Sequence, residues 1–549
     1  MNPAFSLYFA GDAYSTANKI MGRQSAGKSF MAGLARTWPG AQLSGVGNDH
    51  KSAQAMQAQL KGDGFSGQLR WSSLPDLTAA RETGCLYYPA PPTADLAATR
   101  NLVDARAFSL MGVTHTLSSA SAMDQIANLV LPPFAPWDAL ICTSTAAHRL
   151  VSNLQDDMRM YWREAVGATR FVDLTLPVIP LGVNAPDFAR TAPQRASGRT
   201  ALGLKTEEVA FLFAGRLSFH AKANPAPVYQ ALEAAAQQHP VVCVEAGVFP
   251  NEHIQNSYRS AQQALAPSVR FIWVDGKDAA AYRSAWQAAD VFVSLSDNIQ
   301  ETFGLTPVEA MAAGLPVIVS DWDGYKDTVR DGVDGFRIPT VVPGPGAGPE
   351  LALRHALGLD SYDFYIGRTS LATVVLPTAL RQAVLRLACD AALREQMGQQ
   401  GQARAQATFD WPVVLRHYDE LAQHLGQRRA AAAQASAAGM PQAWPQRADP
   451  FARFAHFATT PLDGCWLVQA RPALKPRFNA LMGLAVANFA FEPTLLPAEL
   501  LHALVERLDT APQALPVHEL LQQNTLGPAA SARALMWLWK FDLVDMGQP

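Results

Sequence analysis

Short apolar runs alternate with longer mixed segments through the first 190 residues of the chain. The runs are FSLYFA, GCLYYPA, FSLMGVTHT, DALICTS and TLPVIPLG, and several are apolar at every position rather than at every second one. Continuous apolar strands are typical of parallel sheets whose two faces are both covered by helices. The pattern predicts a Rossmann-like α/β domain over residues 1–190.

The same alternation starts again further along the chain. The second series of apolar runs is VAFLFAG (209–215), PVVCVEAG (240–247), VRFIWVDG (269–276), ADVFVSLS (289–296) and LPVIVSD (315–321). Strands that alternate with helices form parallel, doubly wound sheets, and a second series predicts a second sheet. We therefore predict a second Rossmann-like domain over residues 191–408, with a Gly/Pro-rich insertion at about 341–370.

The chain after residue 408 has a different character. Residues 409–427 begin with FDWPVVLRHYDEL, which has the spacing of an amphipathic helix. Residues 428–447 are rich in Ala and predict a linker. Residues 448–549 predict a small C-terminal helical module, with helices near 497–508, 516–524 and 532–543.

Composition narrows the classes of function. The 44 basic and 47 acidic residues give a net charge of −3, which argues against a nucleic-acid or anionic-membrane partner. Five widely spaced cysteines without a CxxC pair indicate reduced core residues of a cytoplasmic protein. The longest uncharged apolar stretch, 478–491, is too short to span a bilayer. We expect a soluble, cytoplasmic protein.

The most informative segment is DNIQETFGLTPVEAMAAGLPVIVSDWDG, residues 297–324. Thr306-Pro307-Val308-Glu309 has the form of a capping box, which predicts a helix start there, and Gly314 predicts its end. The helix start would follow a strand, at the usual ligand crevice of an open α/β sheet, where free N–H groups favour a diphosphate.

Two carboxylates, Glu301 and Glu309, flank this turn. A carboxylate does not attract phosphate, but it accepts two hydrogen bonds from a vicinal diol. Taken alone, Glu309 could be only a capping residue, and Glu301 only a solvated loop residue. Together with the anion site they favour a pocket for a nucleotide sugar.

The run ETFGLTPVEAMAAGLPVI resembles the E-x7-E signature of the retaining GT-B glycosyltransferases, family 4 in particular. FAGRLSFHAKANP (213–225) is similar to the segment whose Arg and Lys bind the donor diphosphate in that family. MGVTHTLSS (111–119) is similar to the acceptor-domain loop that carries a His. The resemblance covers roughly residues 1–425. It departs in the RLSFHAK segment, which is longer than the family pattern and lacks its Gly, and in the insertion.

The resemblance implies two Rossmann-like domains that face each other across a cleft, and transfer of a hexose with retention of configuration. The implied catalytic residues are Glu301, which would orient the sugar, the diphosphate-binding Arg216 and Lys222, and His115, which would approach the sugar from the first domain. The implied donor-binding residues are Gly22, Phe303, Gly304, Leu305, Thr306 and Glu309, the last on the ribose. Because no DxD motif is placed for a metal, we expect neither metal nor cofactor. The sequence pattern does not identify the acceptor, so carbohydrate, lipid-linked and protein acceptors all stay open.

A second motif, GRQSAGKS at residues 22–29, fits the phosphate-loop pattern G-x-x-x-x-G-K-[ST]. Eleven residues separate it from the nearest candidate strand, whereas a phosphate loop springs directly from a strand. We interpret it as a chance match at the start of an acceptor-domain helix, with Gly22 in the loop that faces the donor.

Three other functions stay open at this point. They are a P-loop NTPase, a GT-B-fold epimerase or phosphorylase, and a binding protein that acts through its C-terminal helices. The apolar face of ARALMWLWKF (532–541) suggests packing within the chain or in a homo-oligomer.

Overall fold

The computed structural model describes residues 2–14, 22–435, 445–489, 491, 496–522 and 527–547. Its contacts divide the chain into two compact units, Met1–Trp444 and Pro445–Pro549. Within those described ranges, no helix is both long and apolar enough to cross a membrane.

The first unit opens with a six-stranded parallel sheet. Its strands are β1 (Ser6–Tyr8), β2 (Gln42–Gly47), β3 (Gln68–Ser73), β4 (Cys85–Tyr87), β5 (Ser109–Val113) and β6 (Ala139–Ile141). Its helices are α1 (Gly22–Thr37), α2 (His50–Gly62), α3 (Thr78–Thr83), α4 (Ala94–Val103), α5 (Ala120–Asn128) and α6 (Thr145–Val166). The strand order is β3-β2-β1-β4-β5-β6, a doubly wound arrangement.

Four of the five strands predicted for this domain are present. The fifth, TLPVIPLG, forms no ladder and makes only isolated parallel bridges from Thr175 to Ala139 and from Val178 to Cys142. Strands β2 and β3 were not predicted, because their polar residues interrupt the apolar run by which the other strands were recognised.

The second sheet also has six parallel strands. They are β7 (Val209–Ala214), β8 (Val241–Gly247), β9 (Arg270–Asp275), β10 (Val291–Ser294), β11 (Val317–Ser320) and β12 (Gly335–Ile338). The helices are α7 (Ala185–Phe188), α8 (Ala192–Ala201), α9 (Ala226–Ala236), α10 (Glu252–Leu265), α11 (Ala279–Ala288), α12 (Leu305–Ala312) and α13 (Tyr325–Thr328). The order β12-β11-β10-β7-β8-β9 repeats the doubly wound pattern, so the predicted fold of two Rossmann-like domains is confirmed.

The insertion leaves and rejoins the second domain through a short antiparallel ribbon. The ribbon is β13 (Thr340–Val341) with β14 (Val374–Val375), and it encloses two helices, α14 (Pro349–Ala356) and α15 (Tyr362–Ser370). The chain continues through α16 (Pro377–Cys389), α17 (Ala391–Arg404) and a π-helical turn at Ala405–Phe409 to α18 (Trp411–Ala435).

Helix α18 returns to the first domain and packs there through Trp411. The Trp411 side chain is 1% exposed, and its Nε1–H donates to Ser29 Oγ at 2.8 Å. A Cβ added at Gly33 or at Gly182 would lie 2.4 Å from the Trp411 ring, so both glycines are needed for this close approach. Further along the helix, Arg429 donates to Ser109 Oγ at 2.8 Å and also to the Gly84 carbonyl. The crossing helix is therefore part of the first domain's core.

The second unit combines helices with a small sheet. Its strands β15 (Leu467–Ala470), β16 (Leu515–Pro516) and β17 (Val544–Gly547) are antiparallel, in the order β16-β15-β17. Its helices are α19 (Pro450–Arg453), α20 (Leu474–Met482), α21 (Ala485–Asn488), α22 (Ala498–Thr510), α23 (Val517–Gln522) and α24 (Pro528–Lys540). The prediction of helices alone missed this sheet. Leu535, Trp537 and Leu538 of α24 are buried in the unit's own core.

The five cysteines divide into two environments. Cys85, Cys142 and Cys243 are buried in the two large sheets, as expected, and burial raises the pKa of the Cys142 thiol to about 12. Cys389 and Cys465 are exposed, so the prediction that all five are core residues was wrong for these two.

Candidate functional site

The candidate site lies where the strand order of the second sheet reverses. Strands β7 and β10 are neighbours, paired through Phe211↔Val291 and Leu212↔Phe292. Arg216 follows the end of β7, and Glu301 lies in the segment that follows β10. Because parallel strands end at the same edge of a sheet, both residues are brought to the crevice in which such sheets bind ligands.

Helix α12 begins at this edge, but not with the predicted capping box. Its N-cap is Gly304, with φ +89°, and no side chain caps it. Pro307 is therefore the third helical residue, not the first. A Cβ at Gly304 would lie 2.0 Å from the Tyr325 ring, so this close-packed turn requires glycine and starts the helix earlier. The uncapped N–H groups of Leu305 and Thr306 can donate hydrogen bonds to an anion.

Glu301 and Lys222 form an ion pair at this edge. Lys222 Nζ lies 3.1 Å from Glu301 Oε2, with 32% and 17% of the two side chains exposed. Burial raises the pKa of Glu301, but the Lys222 charge and the N–H groups of Thr302 and Phe303 outweigh it, so the pKa is lowered. Glu301 is thus held as a carboxylate. The Lys222 ammonium has three donors, of which Glu301 takes one.

Arg216 lies beside this pair and is held only by neutral groups. Its Nη2 donates to the Ala221 carbonyl at 3.4 Å and to Gln300 Oε1 at 3.3 Å. Throughout the part of the chain that the structure describes, no carboxylate forms an ion pair with Arg216. The guanidinium charge at the crevice is therefore available to an anionic ligand.

The first domain contacts the site through the loop of His115. Thr302 Oγ1 donates to the His115 carbonyl at 2.5 Å, and Ser144 Oγ donates to the Thr302 carbonyl at 2.8 Å. Thr145 Oγ1 donates to Asp327 Oδ1 at 2.7 Å close by. These bonds hold the backbone of His115 against Thr302, the residue after Glu301, and the His115 residue is half-buried.

Glu309 lies in the second turn of α12 and is half-buried. Burial raises the pKa of its carboxyl to about 7. Within the described ranges, no hydrogen bond reaches this carboxylate. Phe303 is buried, and its ring lies 6.1 Å from the ring of Phe409. Only the backbone of Phe303 can therefore contact a ligand.

The phosphate-loop pattern lies wholly within a helix. Gly22–Ser29 form the first half of α1, and Ser29 Oγ is occupied by Trp411 and Asn184. Lys28 is exposed on the helix surface. A helical backbone cannot cradle a phosphate in the manner of a P-loop, so the NTPase alternative is excluded at this motif. Gly22 begins the helix, and the loop expected before it, residues 15–21, lies outside the described residues.

Asp323 is a site residue that the sequence analysis missed. It adopts φ +48°, and burial together with the Glu301 charge holds its pKa well above the usual range. Its Oδ2 is buried and has no hydrogen-bond partner among the residues that the structure describes. The available signal was the DWDG turn after a buried strand, since acidic residues at strand ends often serve a site. At this site and throughout the described ranges, no group of three or more His, Cys, Asp or Glu is arranged to hold a metal.

Comparison with known proteins finds a match to the domain that contains the candidate site. Residues 194–342, which contain Arg216, Glu301 and α12, match the family model described as glycosyl transferases group 1. Over these residues, the second domain is similar to the glycosyl transferases group 1 family.

Two relatives illustrate the extent of the match within the glycosyl transferases group 1 family. A D-inositol 3-phosphate glycosyltransferase of Geodermatophilus obscurus is 32% identical over 200 residues, which are 35% of this chain and 42% of the relative. A phosphatidyl-myo-inositol mannosyltransferase of Mycobacterium leprae is 31% identical over 234 residues, 40% of this chain and 57% of the relative. The chain thus spans about half the length of the relatives it matches.

Two solved structures are distantly similar. Anabaena HepE in complex with UDP is 16% identical, with a TM-score of 0.45 over 79% of this chain and 99% of that one. A glycosyltransferase from Rickettsia africae is 12% identical, with a TM-score of 0.48 over 77% and 98%.

Proposed function

We propose that this protein is a retaining, metal-independent glycosyltransferase that moves a hexose from a nucleotide diphosphate sugar to an acceptor hydroxyl. The observation that carries the proposal is the position of Arg216. An arginine that pairs with no carboxylate of the described residues lies at the switch point of the sheet, in a domain that matches the glycosyl transferases group 1 model. Such a charge suits a leaving diphosphate.

The departing nucleotide gathers negative charge on its β-phosphate. Several groups are preorganised to stabilise that charge. They are the Arg216 guanidinium, the two remaining donors of Lys222, and the N–H groups of Leu305 and Thr306. Donors fixed before the reaction need no reorganisation as charge develops, which is why they lower the barrier.

The sugar would be bound by groups on both sides of the interface. Glu301 is held ionised by Lys222 and accepts hydrogen bonds from sugar hydroxyls on the donor side. His115 faces the sugar from the first domain. Glu309 accepts the ribose hydroxyls, a role supported by the absence of any hydrogen bond from the described residues to its carboxyl group.

Arg216→Ala should lower turnover by about 10²–10³-fold, because one preorganised donor to a developing anion is typically worth this much. Arg216→Lys should restore only part of the loss, since a point charge cannot reproduce the guanidinium fork. Release of nucleotide and formation of glycosylated product would be followed together, using a donor first identified by screening nucleotide sugars in a thermal-shift assay. Arg259→Ala, on the exposed side of α10, is the matched control and should behave as wild type.

Two further measurements separate this function from its competitors. Turnover in EDTA should equal turnover in Mg²⁺, and product NMR should show the donor's anomeric configuration. An enzyme that is inactive in EDTA, together with an Arg216→Ala variant that is active in Mg²⁺, would show that a metal holds the leaving group. Conversion of the donor without transfer to an alcohol would instead identify an epimerase.

A further inference from the structure

Asn298 joins three segments of the candidate site. It follows β10, and only 1% of the residue is exposed. Its Nδ2–H donates to the Lys222 carbonyl at 2.7 Å, and its Oδ1 accepts from the Gln300 N–H at 2.9 Å. Its backbone carbonyl accepts from the Trp322 Nε1–H at 2.9 Å. Each of these three partners is itself a residue of the candidate site or directly precedes one.

The side-chain amide of Asn298 matches its two backbone neighbours in chemistry. The Lys222 carbonyl can only accept a hydrogen bond and the Gln300 N–H can only donate one, so the contact needs a donor and an acceptor on one side chain. An amide supplies both, whereas an ionised carboxylate supplies acceptors alone. Because the amide is buried, solvent competes little for either bond.

Lys222 depends on such an anchor because the segment that carries it is long. The segment, RLSFHAK, exceeds the family pattern in length and lacks its Gly. The Lys222 N–H donates to the Ser218 carbonyl at 3.0 Å, and the bond from Asn298 fixes the carbonyl on the other side of the Lys222 Cα. Two residues further on, the Asn224 N–H donates to Asp297 Oδ2 at 3.4 Å. The backbone around Lys222 is therefore fastened to the segment that follows β10.

We propose that Asn298 is a positioning residue, which sets the place of the Lys222 ammonium against the departing diphosphate. This inference rests on the proposed function. Asn298 fixes the backbone of Lys222, and Glu301 holds the far end of the lysine side chain at 3.1 Å. The same amide holds Gln300, directly before Glu301, so the ion pair is held through both of its segments. The ammonium is thus aligned before charge develops on the donor, as preorganised stabilisation requires.

Asn298→Ala should lower kcat by about 10–100-fold, because a charge displaced from the reacting centre loses most of its effect. The donor KM should stay within about threefold, since the ammonium remains near the donor in the ground state. Initial rates over a range of donor concentrations give both constants. A variant with an altered donor KM and a wild-type kcat would overturn the proposal, because the amide would then support binding alone.

Lys222→Met tests whether the effect of Asn298 passes through the ammonium. Methionine keeps an unbranched side chain and removes the charge. Adding Asn298→Ala to Lys222→Met should lower kcat by less than about twofold more, because two residues of one contact are not additive. If the two losses multiply in the double variant, Asn298 acts independently of Lys222 and the proposal is wrong.

Ser320→Ala is the matched control for the loss of a buried hydrogen bond. Ser320 is fully buried in β11, and its Oγ–H donates at 2.6 Å to the carbonyl of Ser296, in the same segment after β10. This variant should lose thermal stability, as Asn298→Ala does, and keep a wild-type kcat. An equal loss of kcat in both variants would overturn the proposal. Asn298→Leu, which keeps the side-chain volume, replaces Asn298→Ala if the alanine variant does not fold.

Hydrogen exchange separates this inference from the proposed function, because it needs no turnover. Amide exchange of residues 218–224 would be measured in the full chain without nucleotide. We expect it to be about 3–10-fold faster in Asn298→Ala, the factor by which one lost hydrogen bond favours local opening, and unchanged in Ser320→Ala. Equal exchange in the wild type and in Asn298→Ala would overturn the proposal. Faster exchange in a protein that transfers no sugar would keep Asn298 as the anchor of Lys222 and remove only the proposed function.

Discussion

Glu245 shows how much a single buried carboxyl can matter outside the site. It lies in β8, where the Tyr229 hydroxyl and Gln262 Nε2 donate to it, the latter at 2.9 Å. Burial raises its pKa from 4.5 to about 7. The folded state therefore binds this proton more tightly than the unfolded state. The resulting stabilisation is fully present below pH 4.5 and is lost as the pH rises through about 7.

Glu245→Gln should stabilise the protein at pH 8 and change its stability little at pH 5. The amide keeps an acceptor for Tyr229 and carries no charge, so it avoids a penalty of about 3 kcal/mol at the higher pH. The midpoint of thermal unfolding at the two pH values tests this. Glu207→Gln, at an exposed position, should raise neither midpoint. A gain for Glu245→Gln that is equal at pH 5 and pH 8 would show that its charge is not the cause.

Individual residues of the ETFGLTPVE motif show what a sequence motif can and cannot predict. The letters ETFGLTPVE predicted an anion-binding helix start flanked by Glu301 and Glu309. They did not predict that Gly304 caps the helix, because that depends on the Tyr325 ring, which comes from a later turn. The pairing of Lys222 with Glu301 depends on two strand ends being adjacent, and sequence spacing does not contain that distance.

Among the elements, strands were predictable where a continuous apolar run marks them, and β2 was missed because its buried run QLSGVG is partly polar. Strand β3, at the sheet edge, alternates exposed and half-buried residues over much of its length, so it lacks the continuous apolar run of β8. The insertion was recognised by composition, yet the hydrogen bond between its Tyr362 and Ser118 was not, because a segment without a family counterpart has no template for its position. The second unit's sheet was missed for a different reason. Its three strands are only two to four residues long.

Gly33→Ala should destabilise the contact between α1 and α18. The added Cβ meets the Trp411 ring at 2.4 Å, and overpacking of a filled core typically costs about 1–3 kcal/mol. The measurement is thermal unfolding, with Gly40→Ala as control because a Cβ there meets nothing within 4 Å. Adding Trp411→Phe to Gly33→Ala should recover part of the loss. If the two alanine variants unfold at the same temperature, α18 does not need this close approach.

For the whole molecule, the two compact units predict that the first can function by itself. A chain that ends at residue 444 contains both large sheets and all of α18, including the bonds of Arg429 to the first domain. It should fold and bind the same nucleotide sugar as the full chain, measured by thermal shift. A chain that ends at residue 427 lacks Arg429 and should unfold at a lower temperature. A folded 1–444 chain that fails to bind would place part of the site in the second unit.

The ribbon of β13 and β14 at the base of the insertion has a consequence for the evolution of such a protein. Thr340 pairs with Val375 and Val341 with Val374, so the insertion leaves the second domain and returns to it at adjacent positions. Its helices carry their own stabilising ion pairs around Asp360. A segment with neighbouring ends and internal support can be lengthened, replaced or lost while the parental sheet keeps its register. The insertion can then evolve as an exchangeable part, separately from the six-stranded sheet of the second domain.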